Sequence, residues 1–138
     1  KNCSKSMIAI HKKHNAAVMA SMKVAKRDVT RWGIYKIKEN VDNKNFTIHS
    51  VVEKPTLKEA PSNNAVIGRY ILPKTIFNKL SKLKPGKGGE IHITDAIRQL
   101  INDGEKFYGN IFKGKYLDCG TLNGYINSTI EISKEKIK

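Results

Sequence analysis

Cysteine, arginine and acidic residues are all scarce in this chain of 138 residues, and no stretch of it is continuously apolar for long. Two cysteines, Cys3 and Cys119, are too few for a disulfide framework. With no secretory context, the default is a pair of reduced thiols in a cytoplasmic protein. The first apolar run, Met7–Ile10, is short and is followed by Lys12 and Lys13, which is not the pattern of a signal peptide. No run approaches the ~20 apolar residues a membrane span needs, so no membrane partner is expected. The net charge of +14 invites a nucleic-acid reading, but only Arg27, Arg31, Arg69 and Arg98 are arginines, and the lysines are scattered over the whole chain. Base reading and bidentate phosphate contacts favour Arg. The charge therefore suits small anionic substrates, and no nucleic-acid partner is expected; a non-catalytic basic module that binds nucleic acid is the alternative of a different class. The apolar fraction of 39% is modest but not that of a disordered chain, and the length suffices for one domain with a core.

Periodicity then divides the chain. Residues 2–15 read as an amphipathic helix carrying Met7, Ile10 and His14. Ala16–Val24 is a compact apolar run of the kind a buried strand has. Trp32–Lys38 and Phe46–Glu53 read as partner strands joined by the polar turn Glu39–Asn45. Pro55–Pro61 is a loop, and Ala65–Leu72 a fourth strand stopped by Pro73. That proline suits the first position of a helix with Ile76, Phe77, Leu80 and Leu83 as its apolar face. The glycine-rich segment Lys84–Glu90 is a loop. Thr94 fits the N-cap of a helix through Asn102, with Ile97, Leu100 and Ile101 inward and Gly104 beyond its end. Phe107–Lys113 and Tyr116–Asp118 read as short strands. Thr121 caps a last helix through Lys136, whose Leu122, Tyr125, Ile126, Ile130 and Ile132 fall mostly on one side. There is no repeat and no linker. Four closely linked strands in residues 16–72 predict a partly antiparallel sheet in an α/β or α+β fold, with too few strands for a complete doubly wound domain.

The residues with chemical promise cluster around Glu53-Lys54-Pro55. A Glu–Lys pair at a strand end is ordinarily solvated charge. Here Ser62, Asn63 and Asn64 add short hydrogen-bonding side chains nearby. Gly33 and Gly68 lie within apolar strands, where glycine marks close approach of a ligand or of backbone. Other groups are weaker. His11 and His14 share a helix face but lack a third ligand, so a polar helix face is the better account. Cys119 has no base to activate it and reads as a packed thiol. Gly86-x-Gly88-Gly89 lies after a helix rather than a strand and is a poor phosphate loop. Lys115 reads as a solvated lysine, and Asp95 as support for its helix dipole.

Five separated blocks, in order, resemble the bacterial type of UTP–glucose-1-phosphate uridylyltransferase, or UDP-glucose pyrophosphorylase. They are Trp32-Gly33-Ile34; Glu53-Lys54-Pro55; Ala60-Pro61-Ser62-Asn63 through Gly68-Arg69-Tyr70; Gly88-Gly89-Glu90-Ile91 with Thr94-Asp95-Ala96-Ile97; and Asp118-Cys119-Gly120 with Gly124-Tyr125. The Ala-Pro-Ser-Asn, Thr-Asp-Ala-Ile and Asp-Cys-Gly blocks favour this type over related thymidylyl and cytidylyl enzymes, which stay open as alternatives.

The resemblance implies the C-terminal half of a Rossmann-like nucleotidyltransferase fold, three-layer α/β/α with a mixed sheet. Residues 1–138 would form its sugar-phosphate-binding part, without the N-terminal nucleotide-binding half; the start at Lys1 rather than Met fits a fragment. It implies UTP and glucose 1-phosphate as substrates, UDP-glucose as product, Mg2+ as cofactor and a homo-oligomer at full length. Glu53 would accept hydrogen bonds from glucose hydroxyls, and Lys54 would pair with the sugar phosphate as the catalytic cation. Gly33 would let backbone approach the sugar. Val66, with Asn64 or Ala65 beside it, would line the pocket through backbone atoms, and Asp118 would be one of two aspartates on the metal. The fragment alone would not turn over.

Overall fold

The computed structural model describes residues 2–85 and 89–136. Gly86 and Gly88, and with them part of the glycine-rich loop and the first residue of the Gly-Gly-Glu-Ile block, lie outside the described residues. The chain opens with helix α1 (Cys3–His14), started by Asn2, whose side chain accepts from Lys5 N at 3.3 Å, and ended by Asn15 in the left-handed region. Strand β1 (Ala17–Lys23) comes next, then a 3-10 turn at Lys26–Arg31. Strands β2 (Gly33–Asn40), β3 (Asn45–Glu53) and β4 (Asn64–Ile71) succeed it. Two short helices, α2 (Ile76–Leu80) and α3 (Ile93–Asn102), lead to strand β5 (Phe107–Ile111) and the last helix α4 (Leu122–Lys136).

The five strands form one mixed sheet in the order β1-β4-β2-β3-β5, and β5 returns to pair with β1, so the sheet closes. All neighbouring pairs are antiparallel except β1 with β5. The mixed, partly antiparallel sheet is as expected from the sequence; its closure is not visible in periodicity. Register shifts in the β2–β3 ladder around Ile37 supply local twist of the kind that lets a short sheet curl. The thinnest seam is β2 to β4, joined at Ile34 and Ala65.

β1 is buried on both sides, which is why it reads as a continuous apolar run. Val18 and Ala20 pack against Cys3, Met7 and Ile10 of α1. Ala17 and Met19 face the main core with Tyr35, Phe46, Val51, Val66, Phe107 and the inward residues of α2 and α3, including Ile76, Ile97 and Leu100. Helices thus cover the sheet from opposite sides. Tyr35 is wholly buried and donates its hydroxyl to Ala20 O at 2.8 Å, tying β2 to β1 inside the core.

Three expectations change. Tyr116–Asp118 is a loop, not a strand: β5 stops at Ile111, and residues 112–121 add no strand to the sheet. α2 is only five residues long and starts at Ile76, after a turn in which Ile76 N donates to Pro73 O. Ile76 is buried and Leu80 and Leu83 pack half-buried against the core, while Phe77 is 70% exposed, so the predicted apolar face holds except at Phe77. The third is at α3, whose N-cap is His92 rather than Thr94. The Thr121 cap is in place, with Oγ1 accepting from Gly124 N at 3.1 Å. The apolar residues of α4, by contrast, are exposed in this chain.

Candidate functional site

A cleft of about 260 Å³ opens where β2, β3 and β4 meet the start of α3. Gly33 begins β2, Glu53 ends β3, Val66 and Tyr70 come from β4, and Ile93 and Thr94 from α3. The local reasons are plain. Gly33 and Glu53 are directly paired across the β2–β3 ladder, so both sit at its open end. A Cβ on residue 33 would come to 3.0 Å from Glu53 Oε2 and 3.4 Å from Val66 Cγ2. The absent side chain therefore makes room for the carboxylate, which is the close approach that glycine signals.

Lys54 comes next, exposed, with its N–H donating to Trp32 O at 3.0 Å. Its φ is 43°, a left-handed conformation that costs a non-glycine residue about 1–2 kcal/mol. The turn beside Glu53 thus stores local backbone strain. Pro55, buried next to it, holds the chain as it leaves the strand.

The long loop after β5 folds back towards the cleft. Tyr116 packs edge-on against Trp32 with ring centroids 5.0 Å apart. Burial raises the hydroxyl pKa of Tyr70, and the charges of Glu53 and then Tyr116 raise it further. Burial likewise raises that of Tyr116, with the charges of Asp118 and Cys119 adding to it. Asp118 Oδ1 accepts from Gly120 N at 2.9 Å, and its carbonyl lies 2.3 Å from where a Cβ on residue 124 would be, so Gly124 lets α4 begin tight against it.

Of the residues expected from the sequence, Gly33, Glu53 and Val66 converge on one cleft, and Lys54 adjoins it. Asp118 lies on the neighbouring loop. Asn64 is 6% exposed, on the same strand face as Val66, and its Oδ1 has no protein partner. The structure adds Trp32, Tyr70 and Thr94 to the cleft. All three lie within the blocks that carry the resemblance, but nothing in the local pattern says which way they point. His11 is occupied structurally, with Nδ1 2.8 Å from Ala16 O, and His14 stacks on Tyr108. Lys115 pairs with Glu131 at 2.5 Å. Cys3 is buried and Cys119 exposed, not joined to each other. Among the described residues, no group of three or more His, Cys, Asp or Glu is gathered as a metal site. Nor is any helix among them long and apolar enough to cross a membrane.

Known proteins share the sequence pattern and the fold. The family model described as nucleotidyl transferase matches residues 2–135. A UTP–glucose-1-phosphate uridylyltransferase of Pseudomonas aeruginosa is 39% identical over 125 residues, covering 91% of this chain and 44% of that protein. The crystal structure of an apo UDP-glucose pyrophosphorylase superposes with a TM-score of 0.88 at 39% identity, over 96% of this chain and 48% of that one. A UDP-glucose pyrophosphorylase complexed with UDP-glucose gives 0.86 at 40% identity, over 95% and 49%. The chain spans about half the length of the curated relatives it matches. The motif blocks, the fold and a family match over nearly every residue agree: the chain belongs to the nucleotidyl transferase family.

Proposed function

We propose that this chain is the sugar-phosphate-binding part of a UTP–glucose-1-phosphate uridylyltransferase. The observation that carries the reading is the convergence of Gly33, Glu53 and Val66, from three different strands, on one cleft with Lys54 at its rim. In the reaction a phosphate oxygen of glucose 1-phosphate attacks the α-phosphorus of UTP, and pyrophosphate leaves. Two anions must meet, so the protein's task is alignment and charge neutralisation, with no protein nucleophile.

Glu53 accepts hydrogen bonds from sugar hydroxyls through its side-chain oxygens. The bare backbone at Gly33 and the side of Val66 shape the floor beneath the ring. Asn64 adds an unpartnered acceptor on the Val66 face. Lys54, at the strained turn beside the cleft, sets its ammonium against the sugar phosphate. Asp118 would hold magnesium: its carboxylate is the hard oxygen donor the ion prefers, and Gly120 N–H is the hydrogen bond to its Oδ1. One carboxylate does not complete such a site, so the remaining ligands would come from elsewhere in the enzyme and from substrate phosphates. Bound magnesium supplies charge neutralisation on those phosphates.

The test is an assay of the complete polypeptide that carries this chain, with UTP, glucose 1-phosphate and Mg2+, reading UDP-glucose and pyrophosphate. Stoichiometric formation of both is expected. Turnover with dTTP in preference to UTP would move the assignment to a thymidylyl enzyme, and no turnover of any sugar 1-phosphate would overturn it.

A further inference from the structure

Thr94 stands in the first turn of α3, yet its hydroxyl does not serve its own helix. The cap position belongs to His92, whose side chain makes no capping bond. Thr94 Oγ1 instead donates to Glu53 Oε2 at 3.4 Å, bridging 41 residues of sequence and joining a helix to the sheet. Thr94 is 8% exposed and lines the cleft itself, so this hydroxyl is withdrawn from bulk water where it meets the carboxylate. The same Oε2 is the atom that closes on Gly33. One carboxylate oxygen is therefore bounded by β2 on one side and by α3 on the other. The first turn of a helix also favours a negative group beside it.

We propose that Thr94 is a positioning residue for Glu53: it holds Oε2 against the wall of the cleft and leaves Oε1 turned out to meet the sugar. A glutamate at an exposed strand end otherwise spends binding energy on ordering its own rotamers. The inference rests on the reading of Glu53 as the residue that receives the sugar hydroxyls.

The experiment measures KM for glucose 1-phosphate, KM for UTP and kcat in the complete polypeptide that carries this chain, for the parent, Thr94→Val, Thr94→Ser, Glu53→Gln and the Thr94→Val/Glu53→Gln double variant. Loss of one charge-assisted hydrogen bond predicts a rise of about tenfold in KM for glucose 1-phosphate in Thr94→Val, with KM for UTP held within about twofold. Thr94→Ser, which keeps the hydroxyl, should stay within about twofold of the parent, and in the Glu53→Gln background Thr94→Val should add less than about twofold. The inference is overturned if Thr94→Val leaves KM for the sugar phosphate unchanged while Glu53→Gln raises it. It is equally overturned if Thr94→Ser is as damaged as Thr94→Val, or if the two effects multiply in full. If Glu53→Gln alone leaves that KM unchanged, the sugar-binding reading of Glu53 fails, and the role of Thr94 fails with it.

Discussion

Lys54 leaves the end of β3 in a conformation that glycine would adopt more cheaply. Relief of about 1–2 kcal/mol of left-handed strain, less the roughly 0.5–1 kcal/mol of extra chain entropy glycine loses on folding, predicts that Lys54→Gly gains about 0.5–1 kcal/mol. Lys54→Ala keeps the strain and should unfold at the same urea concentration as the parent. Both variants should lose affinity for the sugar phosphate. A Lys54→Gly variant less stable than Lys54→Ala would show that the conformation is not strained. Two glycines give a second contrast. A Cβ on residue 109 would sit 2.1 Å from the ring of Phe46, which is itself buried in the core. Gly109→Ala should therefore cost about 2–3 kcal/mol in a denaturant titration, the range for overpacking a well-filled interior. At Gly33 the nearest atom is the end of the exposed Glu53 side chain, which can move. Gly33→Ala should leave the unfolding midpoint nearly unchanged and instead raise KM for the sugar phosphate, because the carboxylate is pushed off its place.

At the scale of elements, the β2–β3 hairpin is held at its tip by Asp42. Its carboxylate accepts from Lys44 N at 2.7 Å and from Asn45 N and Nδ2 at 2.9 and 2.7 Å. The Asn45 side-chain bond, then the Lys44 backbone bond, hold its pKa below the ordinary 3.8. A depressed carboxylate pKa contributes stability above the unfolded value and loses it as pH falls through the folded value. Slow amide exchange around residues 41–46 should therefore persist at pH 4 and weaken only below it, and Asp42→Ala should erase that dependence; an unchanged acid profile in the variant would remove Asp42 from the account. Elements of this local kind are the ones legible in the chain. β1 to β4 emerge from apolar runs and turn residues within two positions of their ends, as does the cap at Thr121. Thr94 misleads for the same reason that Thr121 does not. A threonine before an apolar helix is a strong local signal, and nothing local reports a carboxylate 41 residues earlier. Tyr116–Asp118 reads locally as a short strand but pairs with no neighbour, and the parallel contact of β1 with β5 leaves no mark on either segment's own pattern. The cleft is legible as the three blocks holding Gly33, Glu53 and Val66, and illegible in Trp32 and Tyr70, whose part depends on how the sheet curls.

For the whole molecule, the site has one side. Gly33, Glu53 and Val66 line one cleft with Lys54 adjoining it, and the chain spans about half the length of the curated relatives it matches. Mixed with UTP, glucose 1-phosphate and Mg2+, the 138-residue chain alone should form no UDP-glucose; measurable turnover would show that it carries a complete site. An excess of 26 Lys and Arg over 12 Asp and Glu sets a field that draws small anions towards the surface. In the complete polypeptide, KM for glucose 1-phosphate should therefore climb with ionic strength, more steeply than screening of Lys54 alone would give.

The closed sheet also sets a timetable for the growing chain. β1 emerges from the ribosome before β4 and β5, with one flank destined for each of them, and among the described strands β5 is made after the other four. Until Phe107–Ile111 has cleared the exit tunnel, Ala17–Ser21 presents an unpaired strand edge on one side, an invitation to pairing with a neighbouring nascent chain. Long-range parallel pairing is slow to form, because the intervening loop must be closed before the contacts reward it. The time taken to synthesise the segment between β4 and β5 therefore sets how long that edge stays open.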